Sequence, residues 1–599
     1  MTREALVRIL RETAALLELE GANVFRVRAY ENAARTFEGL AEEPQELLEQ
    51  GRLAELAGVG PGLVQSVAEV VHTGRLTLHD ELRSKYPPGV LDLFRVAGLG
   101  PKRIRLLHQE LGVGSPADLE RACRAGRVAE LAGFGAKSQE KILDSLAHLG
   151  KYSERHLLST ARPLAAAMLA HLRAHRAVIR TEVAGSLRRW RETIGDLDFV
   201  AAVDAADREA VSEHFGAEPG AQAIESRGET KVQVRLGGGM LADLRMVNDD
   251  EFAAALHHFT GSKEHNVALR TRARREGITI NEYGLFRGEE RLVVGDEREL
   301  FRWLGLHWIP PEMREGLDEI ELAAKGELPR LVELGDLRGT LHVHTTWSDG
   351  TASLEEMARA AGRLGWEFLG IADHSQSAAY AGGLTPARVR EQWAAIDEWN
   401  ARGERPCLFK GSEVDVLADG ALDFDDELLL GFDFVVASIH SRFKLPRAEQ
   451  TARLVRALEH PCVTFLGHPT GRLLLAREGY EIDLDAVLDA AEANGVVVEV
   501  NASPHRLDLD WRFLHGWLRR GCRTSIHPDA HSPQGLADVE YGVGVARKAG
   551  ARAEDILVTG TAERIAAHCE RRRERARQRL AESAQPKRPR AQLRTPRKR

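Results

Sequence analysis

The chain has 599 residues, of which 43% are hydrophobic and 29% are charged; because it is too long for one hydrophobic core, we expect about four domains. No apolar run approaches the roughly 20 residues of a membrane span, and the N-terminus lacks a signal-peptide core, which excludes a membrane protein and predicts a cytoplasmic one. The five cysteines form no C-x-x-C pair, which excludes a disulfide framework and a thiolate zinc site.

The net charge of −8 conceals a basic segment, residues 571–599, with 13 Lys and Arg against two Glu. This segment predicts a disordered tail after a short helix, and the tail serves either solubility or phosphate attraction.

Residues 1–150 are predicted to be helical, and one glycine pattern recurs in them at 56–70, 96–111 and 131–143. Each time an apolar residue precedes Gly-x-Gly, and a helix follows. Two close glycines permit a tight turn, and the helix N-terminus offers unpaired N–H groups to a phosphate. The pattern resembles the helix-hairpin-helix motif, which grips DNA without sequence preference; plain turns are the alternative. The predicted DNA contacts here are Gly58, Gly60, Gly98, Gly100, Lys102, Gly133, Gly135 and Lys137.

Residues 178–247 contain short β-like runs, which predict a small antiparallel sheet flanked by helices. Asp196 and Asp198 are two residues apart on one strand, so both carboxylates point to the same face, and Asp243 on another strand can complete the set. Two divalent ions roughly 3.5–4 Å apart can clamp the attacking and leaving oxygens of a phosphoryl transfer. Mg²⁺ prefers such oxygen ligands. The three aspartates are therefore the predicted catalytic and metal-binding residues of a first site.

A turn beside this sheet has the features of a triphosphate site. Gly185 and Ser186 lead into a helix N-terminus, which suits an anion, and Arg188 and Arg189 follow with guanidinium groups for anionic oxygens. G-S-x-R-R followed by G-D-L-D is the nucleotidyltransferase signature, and it resembles the family X DNA polymerases. Residues 258–286 resemble the nucleotide- and primer-binding segment of that family, so the resemblance covers roughly residues 1–315.

The resemblance implies a role for each matching position. The three aspartates would bind the catalytic metals, and Asp243 would also act on the primer 3′-OH. The implied nucleotide contacts are Gly185, Ser186, Arg189, Gly195, Phe259, Gly261, Ser262, Lys263 and Asn266. Arg270 would contact the template strand, and the Gly261–Ser262 peptide bond would be cis, which is costly without proline.

Four positions depart from the family pattern. His258 replaces the tyrosine of a Tyr-Phe pair, so the choice between deoxyribose and ribose stays open. Lys263 replaces an acidic residue, and we hypothesise that it attracts the triphosphate. In the lyase-type domain Tyr30 matches, but Ser66 and Gly62 stand where the family has the Schiff-base lysine and another basic residue. We therefore predict little or no deoxyribose-phosphate lyase activity.

The C-terminal half contains seven apolar β-like runs, and most end in a side chain that can bind a metal. In parallel barrels, functional residues gather at the C-terminal ends of the strands. The candidates are His342, His344, Asp349, Asp373, His374, Glu413, His440, His468, Asn501, His527, Asp529 and His531. Imidazole and carboxylate together suit zinc, manganese or iron, and so many ligands imply more than one ion. Clustered metals activate water and neutralise a phosphate, which predicts phosphoester hydrolysis.

Residues 336–570 resemble the polymerase and histidinol phosphatase (PHP) superfamily, whose fold is a distorted seven-stranded barrel with a trinuclear metal site. The implied ligand sets are His342, His344, Glu413 and Asp529 for one ion, Glu413, His440 and His468 for a second, and Asp349, His374 and His531 for a third. Asp373 would support the ligands from behind. Asn501 and His527 stay unassigned, and Arg442 and Arg472 are either phosphate contacts or ordinary surface arginines.

The predicted fold class is multidomain, with α+β and α/β parts. The predicted domains are a helical lyase-type DNA-binding domain with helix-hairpin-helix (1–85), fingers with further helix-hairpin-helix motifs (86–150), a nucleotidyltransferase palm with an antiparallel sheet (151–250), a nucleotide-binding thumb (251–315), a linker (316–337), a distorted (β/α)7 PHP barrel (338–570) and the basic tail (571–599).

Fusion of a family X polymerase to a complete PHP domain is the arrangement of the bacterial PolX family. It implies a DNA-directed DNA polymerase that fills short gaps in base-excision repair, joined to a metal-dependent 3′–5′ exonuclease that processes 3′ ends; cleavage of abasic sites stays open. The implied cofactors are Mg²⁺ or Mn²⁺ in the palm and three ions of Mn²⁺, Zn²⁺ or iron in the PHP site. The implied partners are gapped or primed DNA and dNTPs, and we expect a monomer in the nucleoid.

Two other functions remain as alternatives. The PHP domain could hydrolyse a small phosphate ester or pyrophosphate, or the chain could be a non-catalytic scaffold for DNA ends. The complete sets of candidate ligands argue against the scaffold. Nuclease assays of His344→Ala distinguish the small-ester alternative from the exonuclease.

Overall fold

The computed structural model describes residues 3–38, 44–56, 59–87, 89–96, 99–152 and 155–584, and the chain divides into two compact units. One unit consists of Met1–Leu328 with Leu473–Glu478, and the other of Pro329–Arg472 with Gly479–Arg599. Within the described ranges, no helix has both the length and the apolar character that a bilayer crossing requires.

The first part of the first unit is helical and shares one apolar core, which includes Leu10, Leu63 and Ile104. Its helices are α1 (Arg3–Glu20), α2 (Val24–Glu38), α3 (Pro44–Glu49), α4 (Pro61–Thr73), α5 (Thr77–Ser84), α6 (Pro101–Leu111), α7 (Pro116–Arg124) and α8 (Ala136–Tyr152).

The second glycine of each Gly-x-Gly segment stands immediately before a helix. Gly60 and Gly100 are the N-cap residues of α4 and α6, where proline occupies the first turn, and Gly135 precedes α8. Lys102 and Lys137 therefore lie in the first turns of α6 and α8, near the unpaired N–H groups of the helix ends. Gly133 has a φ of +83°, which favours glycine. The first glycines of the other two segments, Gly58 and Gly98, lie outside the described residues.

A five-stranded sheet follows, in the strand order β2-β4-β7-β6-β5. The elements of this region are β1 (His156–Leu157), α9 (Leu158–Ala174), β2 (Arg180–Val183), α10 (Gly185–Arg188), β3 (Thr193–Ile194), β4 (Asp196–Ala202), α11 (Arg208–Gly216), β5 (Ala221–Arg227), β6 (Lys231–Leu236) and β7 (Leu241–Val247). The prediction of a wholly antiparallel sheet is wrong at its centre, because β4 and β7 pair in parallel. The long connection through α11, β5 and β6 makes this parallel pairing possible.

The rest of the first unit combines helices with a three-stranded antiparallel sheet. Its elements are α12 (Phe252–Thr260), α13 (Lys263–Arg275), β8 (Thr279–Asn281), β9 (Gly284–Arg287), β10 (Glu290–Leu292), α14 (Glu297–Trp303) and α15 (Glu319–Lys325). Part of the predicted linker is packed here, because the carboxylate of Glu319 is buried 2.7 Å from Nδ1 of His265.

In the second unit, seven parallel strands adjoin one another in chain order, β11 to β17. A further parallel bridge joins Val343 to Ala530, so the sheet is a nearly closed barrel, as the sequence predicts. Helices follow most strands. The elements are β11 (Gly339–Val343), α16 (Leu354–Arg363), β12 (Phe368–Ile371), α17 (Pro386–Ala401), β13 (Cys407–Asp415), α18 (Asp426–Leu429), β14 (Phe434–Ser438), α19 (Arg447–Glu459), β15 (Phe465–Leu466), α20 (Leu484–Asn494), β16 (Val497–Asn501), α21 (Trp511–Arg519), β17 (Thr524–His527), α22 (Val539–Lys548) and α23 (Ala562–Ala584).

The start of the predicted tail is helical for longer than expected, since residues 571–584 form the second half of α23. Ile565, Cys569, Arg572 and Ala576 are buried on one face of this helix, at helical spacing. Because Arg572 occupies one of these buried positions, the sequence does not show a continuous apolar face here. Residues 585–599 lie outside the described part of the chain.

Candidate active sites

The three predicted aspartates of the first unit converge on one edge of the five-stranded sheet. Asp198 in β4 lies directly beside Asp243 in β7, and Asp196 is on the same face of β4. One oxygen from each of the three carboxylates lies within 4.8 Å of the others. Divalent ions are held in proteins by carboxylate oxygens at this kind of spacing.

The charges of these carboxylates are costly without a cation. Burial, together with the neighbouring Asp196 and Asp243, raises the pKa of Asp198 to about 7. Burial and Asp243 also raise the pKa of Asp196. Asp243 is held from its other side by Nζ of Lys231 at 2.9 Å and Nε2 of Gln233 at 3.0 Å. Mutual repulsion and raised pKa values are what an acidic site for divalent metal shows when no ion neutralises it, so the residues fit such an ion.

The turn into α10 leaves no space for a side chain at Gly185. Its φ is +60°, and an added Cβ would lie 1.8 Å from Oδ2 of Asp198. Glycine therefore allows the backbone to approach the carboxylate cluster closely. Ser186 follows in α10, and Gly195 stands one residue before Asp196.

The two arginines after this turn bind protein groups. Arg188 donates to the Glu297 carboxylate at 2.7 Å and to Oγ1 of Thr260 at 2.7 Å. Arg189 donates to Glu315 at 3.1 Å and to the carbonyl of Thr260. Arg188 thus joins α10 to α12 and α14. The role of both arginines toward anionic oxygens stays a prediction.

The predicted nucleotide contacts of residues 259–266 form a compact turn between α12 and α13. The Gly261–Ser262 peptide bond is cis, as the resemblance implies. Oγ of Ser262 accepts the N–H of His265 at 3.2 Å and caps α13, where Lys263 is exposed. Nδ2 of Asn266 donates to the carbonyl of His258 at 2.9 Å. Oδ1 of Asn266 is buried without a hydrogen bond in the described part of the chain.

Two further predicted contacts flank this turn. The ring of Phe259 stacks with the guanidinium of Arg245, 5.2 Å from the ring centroid. Nε of Arg270 donates to the carbonyl of Asn266 at 3.2 Å, so the start of its side chain folds back on α13.

In the N-terminal helices, the hydroxyl of Tyr30 lies 3.1 Å from Oγ of Ser66. This serine also donates to the carbonyl of Gly62 at 3.2 Å. A hydroxyl at this position cannot form the Schiff base that a lysine would.

In the second unit, all nine predicted metal ligands gather at the C-terminal ends of the barrel strands. The groups whose ligand atoms lie within 4.8 Å of one another include His342, His344 and Asp529; His374, Glu413 and His440; and His344, Asp349, His374 and His531. Nε2 of His468 is 2.8 Å from Oε1 of Glu413. Unlike in the predicted sets, His344 and His374 each belong to two of these groups.

Among the described residues, several ring nitrogens of this cluster make no hydrogen bond, which suits a bound ion. Nε2 of His342 and of His344 are buried without a hydrogen bond in the described ranges, although each lies 3.6 Å from Oε2 of Glu413. Although burial opposes it, Glu413 and Asp415 raise the pKa of His440 to about 10. Likewise, against burial, Asp349 and Asp529 raise the pKa of His531 to about 9. Imidazoles and carboxylates aimed at a common point are the ligands of zinc, manganese and iron.

Two buried carboxylates that the sequence analysis missed orient the histidines. Oε2 of Glu499 lies 2.7 Å from Nδ1 of His342 and 3.1 Å from Nδ1 of His527. Asp415 bonds Nδ1 of His440. Glu499 lies within β16, and Asp415 lies at the end of β13. An acidic residue at a buried position of a strand is rare unless it has a partner, and this is the sequence signal that could have identified both.

The remaining candidates stand behind the cluster. Asp373 accepts the N–H and the hydroxyl of Thr345, at 2.8 and 2.7 Å, and so holds the loop after β11. Nδ2 of Asn501 donates to Asp529 at 3.1 Å. Arg472 donates to Asp510 at 2.6 Å and to the carbonyl of Arg506 at 2.9 Å, and both alternatives for this arginine stay open.

The first unit thus carries a nucleotidyltransferase-like carboxylate site on a mixed sheet, and the second a histidine-rich metal-type site on a parallel barrel. The chain matches the models of a helix-hairpin-helix domain over residues 1–76, a SAM-like helix-hairpin-helix tandem over 90–147, the DNA polymerase beta thumb over 255–315 and the PHP domain over 340–503. It is 39% identical to the DNA polymerase/3′-5′ exonuclease PolX of Bacillus subtilis over 563 residues, which cover 93% of this chain and 97% of that protein. The chain belongs to the PolX family.

Other relatives match only part of the chain. A probable phosphatase of Caldanaerobacter subterraneus is 28% identical over 27% of this chain and 61% of that protein. One of Syntrophotalea carbinolica is 26% identical over 36% of this chain and 90% of that protein. These matches cover only part of this chain, whereas the match to the Bacillus subtilis protein covers nearly all of it.

Proposed function

We propose that this chain fills short gaps in DNA from its first site and processes 3′ ends from its second. It is a DNA polymerase joined to a 3′–5′ exonuclease. The observation that carries the proposal is the convergence of Asp196, Asp198 and Asp243, whose carboxylate oxygens lie within 4.8 Å of one another, in a chain that aligns with a DNA polymerase/3′-5′ exonuclease along nearly its whole length.

In the first site, a primer 3′-OH attacks the α-phosphorus of a dNTP, a new P–O bond forms, and pyrophosphate leaves. Asp243 acts on the primer 3′-OH. The turn at Gly185 and Ser186 binds the triphosphate together with Arg189. Asn266 and Phe259 contact the incoming sugar and base, and Lys263 draws the triphosphate in. Magnesium or manganese bound by the three aspartates would supply stabilisation of the charge that develops on the phosphate oxygens.

The proposed DNA contacts precede this site in the chain. Gly60, Gly100 and Gly135 with their following helix ends grip backbone phosphates, and Lys102 and Lys137 add positive charge. Arg270 contacts the template. We also propose that the domains have the limits predicted from the sequence and that the protein is a monomer.

In the second site, water attacks the phosphorus of the terminal phosphodiester of a 3′ end, a new P–O bond forms, and the P–O3′ bond breaks, so that a 5′-nucleotide is released and the shortened strand keeps a 3′-hydroxyl. His342, His344, Glu413 and Asp529 would hold one ion, Glu413, His440 and His468 a second, and Asp349, His374 and His531 a third. Manganese, zinc or iron would there activate the attacking water and neutralise the phosphate. Glu499 and Asp415 keep the imidazoles in the orientation that ligation needs.

Primer extension and degradation on a gapped duplex, with Mg²⁺ or Mn²⁺, test both halves. We expect Asp196→Ala/Asp198→Ala to lose extension and keep degradation, and His344→Ala to do the reverse. Loss of both activities in either variant would contradict two independent sites. Unchanged degradation in His344→Ala, with lost hydrolysis of a small phosphate ester, would instead support the small-ester alternative.

A further inference from the structure

The second unit has a basic cavity at the opposite end of its barrel from the metal-type cluster. The cavity has a volume of about 460 Å³ and is lined by the segment 554–560, by the first part of α23 and by Arg523. Arg523 stands immediately before β17, whereas Asp529 of the cluster follows the other end of that strand. A four-residue strand is roughly 13 Å long, so the two places are distinct.

Three arginines line this cavity. In the described part of the chain, the guanidinium groups of Arg523, Arg564 and Arg571 make no ion pair and no hydrogen bond, although all three border the same space. By contrast, Arg573 in the same helix binds Asp433 at 3.1 Å. The acidic lining residue, Glu554, lies 3.7 Å from Arg552 instead. Unpaired like charges around a concavity repel one another unless an anion neutralises them.

A histidine with a buried ring nitrogen, His568, also lines the cavity. Burial, with help from Arg572, Arg571 and Arg523, lowers the pKa of His568 to about 4, so this side chain is neutral near pH 7. Its Nε2 is buried and makes no hydrogen bond within the described ranges. A neutral imidazole can donate one N–H to an anionic oxygen without adding a positive charge to the cavity.

We infer that this cavity binds a phosphate group. Phosphate offers several strong acceptor oxygens, and forked guanidinium groups match them in pairs. The volume lies in the range of small-ligand sites and suits a phosphate that carries one nucleoside. The phosphate belongs either to a free nucleotide or to one backbone position of DNA. The inference does not rest on the proposed function of either active site.

Binding to the full, metal-loaded chain tests the inference. The variant is Arg564→Gln/Arg571→Gln, and the matched control is Arg577→Gln, which removes a charge from the same helix outside the cavity. One probe is dAMP, measured by calorimetry. The other is a gapped duplex with nuclease-resistant phosphorothioate 3′ ends, measured by fluorescence anisotropy at several salt concentrations. Both arginines of the variant are exposed, so folding is retained, and equal melting temperatures verify this.

A loss of dAMP affinity of about tenfold or more in the variant, absent in the control, assigns the cavity to a free nucleotide. Unchanged dAMP binding, with weaker DNA binding and a log–log salt slope lower by about 2, assigns it to backbone phosphates. If neither ligand distinguishes the variant from Arg577→Gln, the inference is wrong. His568→Gln, which keeps an N–H donor, should bind the same ligand within a few-fold of the wild type.

Discussion

At the residue scale, the second site depends on carboxylates that do not themselves face its centre. Glu499 is fully buried and holds both His342 and His527 through their Nδ1 atoms. A carboxylate behind a ligand imidazole fixes the tautomer that presents the other nitrogen to an ion. The orientation of His342 therefore comes from a residue one layer away.

Glu499→Gln should lower the affinity of the PHP site for Mn²⁺ by about 10- to 100-fold, because the neutral amide orients His342 less strongly. Exonuclease activity should fall at limiting Mn²⁺ and recover when the metal is in excess, while primer extension stays unchanged. The exposed Glu492, which pairs with Arg520, provides the control Glu492→Gln. Equal metal affinities in the two variants would show that Glu499 has no positioning role.

Metal binding at this site should release protons. In the metal-free protein, the pKa values of His440 and His531 are raised to about 10 and about 9, so both imidazoles are protonated at pH 7.5. A ligand imidazole must be neutral; binding therefore expels these protons, and the affinity rises as the pH increases toward 9. Titration calorimetry with Mn²⁺ in two buffers of different ionisation enthalpy measures the release. A pH-independent affinity without proton release would contradict this.

At the element scale, α23 is attached to the barrel by a buried arginine. Arg572 donates to the carbonyls of Asn494 and Gly495, at 2.9 and 3.1 Å, and to that of Val463. These carbonyls end α20 and precede β15 and β16. From its buried position, the arginine thus donates to all three of these carbonyls.

Arg572→Ala should lower the free energy of unfolding of the second unit by about 2–4 kcal/mol, because it leaves the buried carbonyl of Val463 and two partly buried carbonyls without this donor. The exposed Arg575 on the same helix gives the control Arg575→Ala, which should change stability by less than about 0.5 kcal/mol. Urea unfolding, followed by the exonuclease activity, measures both. Similar midpoints for the two variants would mean that the carbonyls find other partners.

The turn at Gly185 shows how an element and a site depend on each other. The positive φ and the closeness of Asp198 both exclude a side chain there. The same residue thus begins α10 and leaves room for the carboxylate cluster. A sequence motif predicts the glycine, but the contact that requires it appears only once β4 and α10 are packed.

At the scale of the whole molecule, the candidate metal clusters of the described residues differ in burial between the two units. Glu413, His342 and His344 are almost wholly inaccessible, whereas Asp196 of the first unit is only partly removed from solvent. A ligand that binds only the folded state stabilises the unit that holds it. The two units should therefore respond differently to removal of metal.

Scanning calorimetry with Mn²⁺ or with EDTA should show that chelation lowers the melting temperature of one transition and leaves another nearly unchanged. The metal-dependent transition should persist in Asp196→Ala/Asp198→Ala and lose its response in His344→Ala, since only the latter alters the buried cluster. A single transition that shifts equally in both variants would contradict this assignment.

The sequence by itself determined the class of the two sites and the barrel that carries the second. His, Asp or Glu at the ends of short apolar strands come together in a parallel barrel, because the C-terminal ends of the strands meet at one edge. Two aspartates separated by one residue on a strand point to the same face. Only the tertiary structure decided the parallel pairing of β4 with β7, the capture of Arg188 by Glu297, the support of His342 by Glu499 and the burial of Arg572. Each of these joins residues far apart in the chain, and the energy of a buried charge depends on neighbours that local patterns do not specify.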